Sequence, residues 1–307
     1  METIIQYFET ISPLHRSLIL VGGITFFWML ESAVPLFRMD YGKWRHAAIN
    51  VFFTLTTILV NFVLAFLLLT VADWAQDAQF GILHWIPFPF MLLTTLVGLL
   101  LLDLIGAYWV HWVEHRVKWM WRFHLIHHTD THVDTTTANR HHPGESVIRF
   151  AFTLLAVAVT GAPIWMVMLY QSLSVVLSQF NHANIALPQW LDRGLSWIIV
   201  TPDMHHVHHH YTQPFTDTNY GNIFSIWDRL FGTFDIMERQ ELVYGIDTYP
   251  DPAENSKVGP LLKIPFMEYR NPPGSKFSAG AVGWPEASEV VAAAIPEKQV
   301  LDSGPPA

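Results

Sequence analysis

The chain has 307 residues, of which 51 % are hydrophobic and 14 % charged, with a net charge of −9. An ordinary soluble domain carries roughly 25 % charged residues, so this shortage, with a mean hydropathy of +0.27, argues against a soluble enzyme and against a disordered chain. There is no basic surplus to neutralise phosphates, which argues against a nucleic-acid partner, and the absence of cysteine excludes disulfides, thiolate-ligated haem and Cys-bound iron–sulfur clusters within the sequence.

Three long apolar runs come first: Ser17–Phe37 with one acid, Glu31; Ala47–Val71 with no charge; and Phe90–Val110 with only Asp103. Each reaches the roughly 20 residues that cross a hydrocarbon core about 30 Å thick. The first lacks the basic leader and small-residue cleavage site of a signal peptide. Arg38, Lys43 and Arg45 follow the first run and Arg116, Lys118 and Arg122 the third, whereas Ala72–Pro89 holds neither Lys nor Arg. The positive-inside rule therefore places residues 38–46 and those after Val110 in the cytoplasm. Trp74, Trp85, Phe88 and Phe90 suit an aromatic belt on the outer side.

A fourth apolar stretch, Val147–Phe180, is broken by Gly161-Ala162-Pro163. It reads as a tight hairpin of two short helices, because a single span would strand His182 on the far side. From Ala183 onward no run reaches spanning length. Residues 241–273 read as a cytoplasmic cap, with Leu261–Phe266 able to pack, and 274–307 as a loose, proline-rich tail.

Fourteen of the 17 histidines lie between His111 and His210. His111 and His115 are spaced i, i+4. His124, His127 and His128 are spaced i, i+3, i+4, and His205, His208 and His209 repeat that pattern, so each set shares one stripe of a helix. His142 and His182 stand outside these boxes. Any one such motif is more often a solvated helix face. Three within 100 residues on one side of a membrane would repel one another when protonated, and a metal resolves this because it binds neutral imidazole. Imidazole suits Fe, Zn, Cu and Ni. One zinc needs only three or four ligands, whereas ten histidines suffice for two ions. The chain contains no Glu-x-x-His, the motif of soluble di-iron bundles.

Three stretches carry a family resemblance: Asp103 to His115; His124 through Asp134 and Arg140-His141-His142-Pro143-Gly144-Glu145; and Thr201-Pro202 through His205–His209 to Asn219-Tyr220-Gly221, Trp227-Asp228 and Gly232. With them the sequence resembles the fatty acid hydroxylase/sterol desaturase superfamily of integral-membrane non-haem di-iron enzymes. The resemblance is dense over about residues 90–235 and architectural in the N-terminal spans. It implies an all-α, polytopic membrane helical bundle with a cytoplasmic, histidine-rich di-metal domain. Residues 1–240 would form the catalytic domain.

The implied activity is O2-dependent hydroxylation or desaturation of a lipid C–H bond, with hydroxylation favoured. Two iron ions would be held by His111, His115, His124, His127, His128, His142, His182, His205, His208 and His209. The family's Arg-x-His-Pro frame selects His142 over His141. His132, His141, His206 and His210 are extra, and a solvated or supporting role is the plainer reading of His206 and His210. Asp103, Asp134, Glu145, Asn181 and Asp203 are candidates to orient ligands, Asp103 equally for a cross-helix hydrogen bond. For Trp227 and Asp228 a fold-stabilising role is the plainer reading.

Without a Gly-rich nucleotide fingerprint or redox cysteines, a separate electron donor is implied, either a ferredoxin or a cytochrome b5-like protein with its reductase. The rival reading from another class is a membrane zinc protease, since His111-Trp-Val-Glu114-His115 satisfies H-x-x-E-H, but that leaves two histidine boxes without work. Which lipid is oxidised, which iron each histidine binds and the oligomeric state stay open at this level.

Overall fold

Capping residues, rather than hydropathy, decide where the first long helix starts and stops. In the computed structural model, which describes residues 1–271 and the backbone of Val300–Leu301, a short α1 (Glu2–Glu9) precedes α2 (Pro13–Ala33). The Ser12 hydroxyl accepts from the His15 N–H at 3.2 Å, and Pro13 fills the first helical position, where its missing N–H costs nothing. The helix ends before Pro35, which disfavours helical backbone in its predecessor. It therefore lies four residues N-terminal to the apolar run Ser17–Phe37. Phe37–Arg38 is extended and pairs antiparallel with Val300–Leu301, Phe37 opposite Leu301. The expected tail, residues 274–307, otherwise lies outside the described residues.

The second run becomes α3 (Lys43–Asp77), 35 residues long. At 1.5 Å per residue it measures about 52 Å and overshoots a hydrocarbon layer of about 30 Å. After α4 (Ile82–Trp85), a continuous helix runs from α5 (Met91–Asp103) through a π-helical segment, Leu104–Trp109, into α6 (Val110–Arg116). The wider π turn re-phases the side chains that follow, His111 and His115 among them. Next come α7 (Lys118–His128), α8 (Pro143–Thr160) and α9 (Ile164–His182). The smaller helices are α10 (Gln189–Leu195), α11 (Pro202–His208), α12 (Ile226–Leu230), α13 (Pro252–Asn255) and α14 (Val258–Lys263).

Among the described residues, four helical segments are long and apolar enough to cross a bilayer: Pro13–Ala33, Lys43–Trp85, Met91–Arg116 and Pro143–Thr160. The molecule is a polytopic, mostly helical membrane protein. The fourth apolar stretch folds as the expected hairpin, not as one long span, because Gly161 adopts φ +69° and reverses the chain. Its helices have 18 and 19 residues, about 27–29 Å each. Its tip is pressed against the far end of α3: Gln76 Nε2 donates to the Gly161 carbonyl at 3.0 Å, and a Cβ on Gly161 would lie 2.4 Å from the Phe80 carbonyl oxygen.

The open end of the hairpin carries the polar layer. There Glu31, at the end of α2, accepts from the backbone N–H groups of Thr135 and Asn184 at 2.7 and 3.0 Å. The fully buried Arg140 donates to the Ile126 carbonyl, Asn50 Oδ1, Thr129 Oγ1 and the Asn255 carbonyl at 2.6–3.1 Å, joining α7, α3 and α13. Leu261 and Ile264 pack against Ile49, Phe53, Trp121 and Leu125. A larger apolar core between the long helices includes Leu68, Leu102, Phe150, Val157, Trp165 and Met166.

Gly161→Val combines left-handed strain of about 1–3 kcal/mol with a backbone clash. It should lower the thermal unfolding midpoint in detergent by several degrees by tryptophan fluorescence, whereas Gly22→Ala, with open space around it, should not. An unmoved midpoint for Gly161→Val would contradict the tight tip.

Candidate metal centre

A histidine box of the form H-x-x-H-H cannot aim all its rings at one point. Adjacent helical residues diverge by about 100°, and the structure uses this divergence. Among the described residues, His111 and His115 of α6, His124 and His128 of α7 and His208 of α11 bring one ring nitrogen each within 4.8 Å of one another. His127, His182, His205 and His209 form a second such group. Thus α7 and α11 each serve both groups, His128 and His208 facing one and His127 and His209 the other. All nine rings are buried.

Within the groups, ring nitrogens approach closely. His111 Nε2 and His128 Nε2 lie 3.1 and 3.2 Å from His124 Nε2, and His127 Nε2 and His205 Nε2 lie 3.1 and 3.0 Å from His182 Nε2. The far nitrogens show what these contacts are. His111 donates Nδ1–H to the Tyr220 carbonyl at 2.9 Å, and His124 donates Nδ1–H to the Glu145 carboxylate at 2.7 Å. In the neutral rings both Nε2 atoms then carry lone pairs, so at 3.1 Å they repel unless a cation lies between them. Three more rings are held the same way: His115 Nδ1 by Asp217 at 3.0 Å, His208 Nδ1 by the Thr218 carbonyl at 2.7 Å and His182 Nδ1 by the Ser178 carbonyl at 2.7 Å. His115 Nε2, His208 Nε2 and both nitrogens of His209 are buried without a protein partner.

This donor set fits metal ions. Bonds of about 2.1 Å set about 90–100° apart place nitrogens about 3.0–3.2 Å from one another, whereas a tetrahedron gives about 3.4 Å. Burial, reinforced by the neighbouring imidazoles, holds His124, His127, His128, His205, His208 and His209 well below the ordinary histidine pKa. They are neutral and ready to ligate.

His142 departs from the expected set. Its Nδ1 accepts from the Gly144 N–H at 2.9 Å as the cap of α8, and its ring packs against Phe123 and Phe266. The Arg-x-His-Pro frame instead brings His141 to the edge of the groups: it stacks on His127 with centroids 4.8 Å apart, and its Nδ1 lies 2.8 Å from Glu145. Pro143 starts α8, which leaves the residue before it as the cap, and His141 spends its Nε2–H on the Ala138 carbonyl at 3.1 Å.

Of the other extra histidines, His206 bridges the His182 carbonyl, at 3.2 Å, and the Tyr244 hydroxyl, at 2.7 Å. His210 accepts from the Val243 N–H, and His132 stacks on Tyr41. His46, which carries no role in the sequence, sits 2.8 Å from Asp130 and 3.3 Å from Asp134.

Of the candidate orienting residues, Glu145 alone touches a cluster histidine directly. Asp134 holds His46, Tyr41 and Thr136, and Asp203 pairs with Arg239 at 2.7 Å. Asn181 donates to the Asn222 carbonyl at 3.2 Å. Asp103 accepts from the backbone N–H groups of Ile223 and Phe224 and from Trp227 Nε1 at 3.0–3.3 Å, which is the cross-element alternative. Asp228 accepts from the Tyr220 and Gly221 N–H groups at 2.7 and 2.9 Å, so it fixes the carbonyl that orients His111. Asp217 escaped sequence reasoning because an isolated acid in a loop carries no spacing signal. Glu114, the general base of the protease reading, is bound by Arg149 at 2.6 Å, and Arg149 also holds Glu145 at 2.9 Å.

Residues 95–233 match the sequence profile of the fatty acid hydroxylase family. The alkylglycerol monooxygenase of Xenopus tropicalis is 32% identical over 155 residues, covering 47% of this chain and 31% of that protein. The ornithine lipid hydroxylase OlsE of Rhizobium tropici is 28% identical over 167 residues, 54% of this chain and 49% of that protein. A cholesterol 25-hydroxylase-like protein of Danio rerio is 29% identical over 165 residues, 50% of this chain and 64% of that protein. The chain thus spans less than half the length of the first two relatives. No solved structure gives a significant match.

Elemental analysis should find about two metal ions per chain and about one fewer in His127→Ala. Asp217→Asn, which removes a charged partner of a ring nitrogen, should weaken metal retention about 10–100-fold against a competing chelator; unchanged retention would remove Asp217 from the site. The metal-free protein should also lose stability in acid. The buried rings have folded pKa values below the unfolded 6.5, so below that pH the unfolded state binds protons that the folded state refuses. Its thermal midpoint should fall between pH 7.5 and pH 5, and equal midpoints would contradict neutral burial.

Proposed function

We propose that the chain, whose residues 95–233 match the fatty acid hydroxylase family, is a membrane-bound, O2-dependent di-iron lipid hydroxylase. The observation that carries this reading is the pair of buried imidazole groups, five and four strong, at one end of a bundle of apolar helices. By their names, two relatives act on an alkylglycerol and an ornithine lipid, and a third is like a cholesterol hydroxylase. What these share is an apolar body with a polar end, and the substrate proposed here is a lipid of that kind.

The ligands proposed are the nine clustered histidines; His142 caps α8 instead. Two iron ions held there would supply the oxidation R–H + O2 + 2e⁻ + 2H⁺ → R–OH + H2O. The chain's residues hold that chemistry in place. Asp217, Glu145 and the carbonyls of Tyr220, Thr218 and Ser178 fix the rings through their far nitrogens, which orients the near nitrogens and raises their basicity. Arg149 donates to both Glu114 and Glu145 and so compensates one negative charge of that buried pair beside His124. The buried layer excludes water, which keeps the oxidant from side reactions.

Residues 1–240 form the catalytic unit in this reading and 241–273 the cap, of which Leu261 and Ile264 pack on α3 and α7. The basic residues after the first and third spans support a site on the cytoplasmic side, where a ferredoxin or a cytochrome b5-like protein with its reductase would deliver electrons.

Lipid mass spectrometry of cells with and without the protein tests the proposal. A +16 Da product is expected, and a −2 Da product would indicate desaturation instead. His127→Ala should abolish the product. An active purified protein that contains no iron would overturn the reading.

A further inference from the structure

The third long helix anchors a segment that the sequence placed in the cytoplasm. Asp103 and Tyr108 lie on Met91–Arg116, one of the helices long and apolar enough to span. Counted from Met91 at 1.5 Å per residue, they sit about 18 and 25 Å along it, within a hydrocarbon layer of about 30 Å. Residues 220–236 are fastened at that level. Asp103 accepts from Ile223, Phe224 and Trp227, Tyr108 donates to or accepts from Thr233 Oγ1 at 2.8 Å, and Phe231 stacks on Tyr108 with centroids 5.3 Å apart.

Irregular backbone at membrane depth is tolerated only where protein satisfies its polar groups. This segment meets that condition: Asp103 takes two of its N–H groups and Asp228 takes two more. Its outward face is apolar. Ile226, Leu230, Phe231 and Ile236 are exposed, and the neighbouring Trp197 and Ile198 extend the face, joined to it by the Ser225 N–H to the Ile198 carbonyl. Trp197 is 69% and Leu230 67% exposed, a degree of apolar exposure that water penalises in a contiguous patch. Asp228 is turned inward and buried. The Arg229 guanidinium lies over the rings of Trp197 and Phe234 at 4.7 and 4.0 Å and donates to the Ser225 carbonyl and Ser196 Oγ at 3.3 and 3.5 Å, so its charge is held against the protein and does not interrupt the apolar face.

We propose that Trp197–Ile198 and residues 226–236 form an in-plane element embedded in the cytoplasmic leaflet, with the bilayer itself as the partner that covers this face. The occupant follows from continuity with the lipid-facing helix Met91–Arg116. The inference rests on the spanning reading of that helix and not on iron or oxygenase chemistry.

The native sequence has no cysteine, so single-site spin labels need no background removal. Ile226→Cys, Leu230→Cys and Ile236→Cys, with Lys257→Cys as an exposed reference on the cap, would be labelled and reconstituted into phosphatidylcholine vesicles. Retained helical content by circular dichroism would confirm folding. The proposal expects collision with O2 to be high and collision with a water-soluble nickel chelate to be several-fold lower at 226 and 230 than at 257. Nickel accessibility equal to that at 257 would place the face in water, and low accessibility to both reagents would mean that protein, such as a second copy, covers it. Either result overturns the proposal. Lipid oxidation is not part of the readout, so failure of the proposed enzymatic function leaves this test intact.

Discussion

Two bare imidazole nitrogens 3.1 Å apart, His111 Nε2 and His124 Nε2, are the constraint around which the molecule is arranged. Neutral rings cannot satisfy each other there, because each has spent its one N–H on a fixed acceptor on its other side. Nine buried imidazoles are a heavy polar load for an interior. Metal ions would relieve the load, and the surrounding carbonyls and carboxylates keep the rings in the tautomer that a metal requires. The two groups are also mechanically linked, because α7 and α11 each contribute adjacent histidines to both.

The membrane helices exist, in this view, to hold that layer at a defined height. Each long element delivers polar groups to it. The end of α2 gives Glu31 to the amides of Thr135 and Asn184. The start of α3 gives His46 and Asn50 to Asp130, Asp134 and Arg140. The hairpin delivers Glu145 from α8 and His182 from α9. At the opposite end the contacts are small and close, with Gly81 against Gly161, and serve only to turn the chain. Polarity is therefore concentrated at one end of the bundle and apolar packing fills the rest.

Asp103 shows how the same physics ties depth to function. A carboxylate in an apolar helix needs several donors. It finds them in the segment that also carries Tyr220, whose carbonyl orients His111. The acid thus acts on the site through backbone rather than by touching a ligand, and it draws loop structure down beside the span.

Much was legible in the residues themselves. Run lengths and the scarcity of charge determine a polytopic helical membrane protein, and the spacing of the histidine boxes determines which helix faces carry imidazole. The Gly161-Ala162-Pro163 break determines a hairpin. These are local properties, set by period, propensity and burial cost along one stretch of chain. Which group each histidine joins was decided only in three dimensions, because His127 and His128, or His208 and His209, differ by a rotation whose meaning depends on what stands opposite. The same holds for His141 against His142, where helix capping by the residue before Pro143 took one ring away, and for Asp217 and His46, whose partners lie 102 and 84 residues distant. Sequence spacing cannot encode such a pairing, since it depends on where separate helices are brought together by packing.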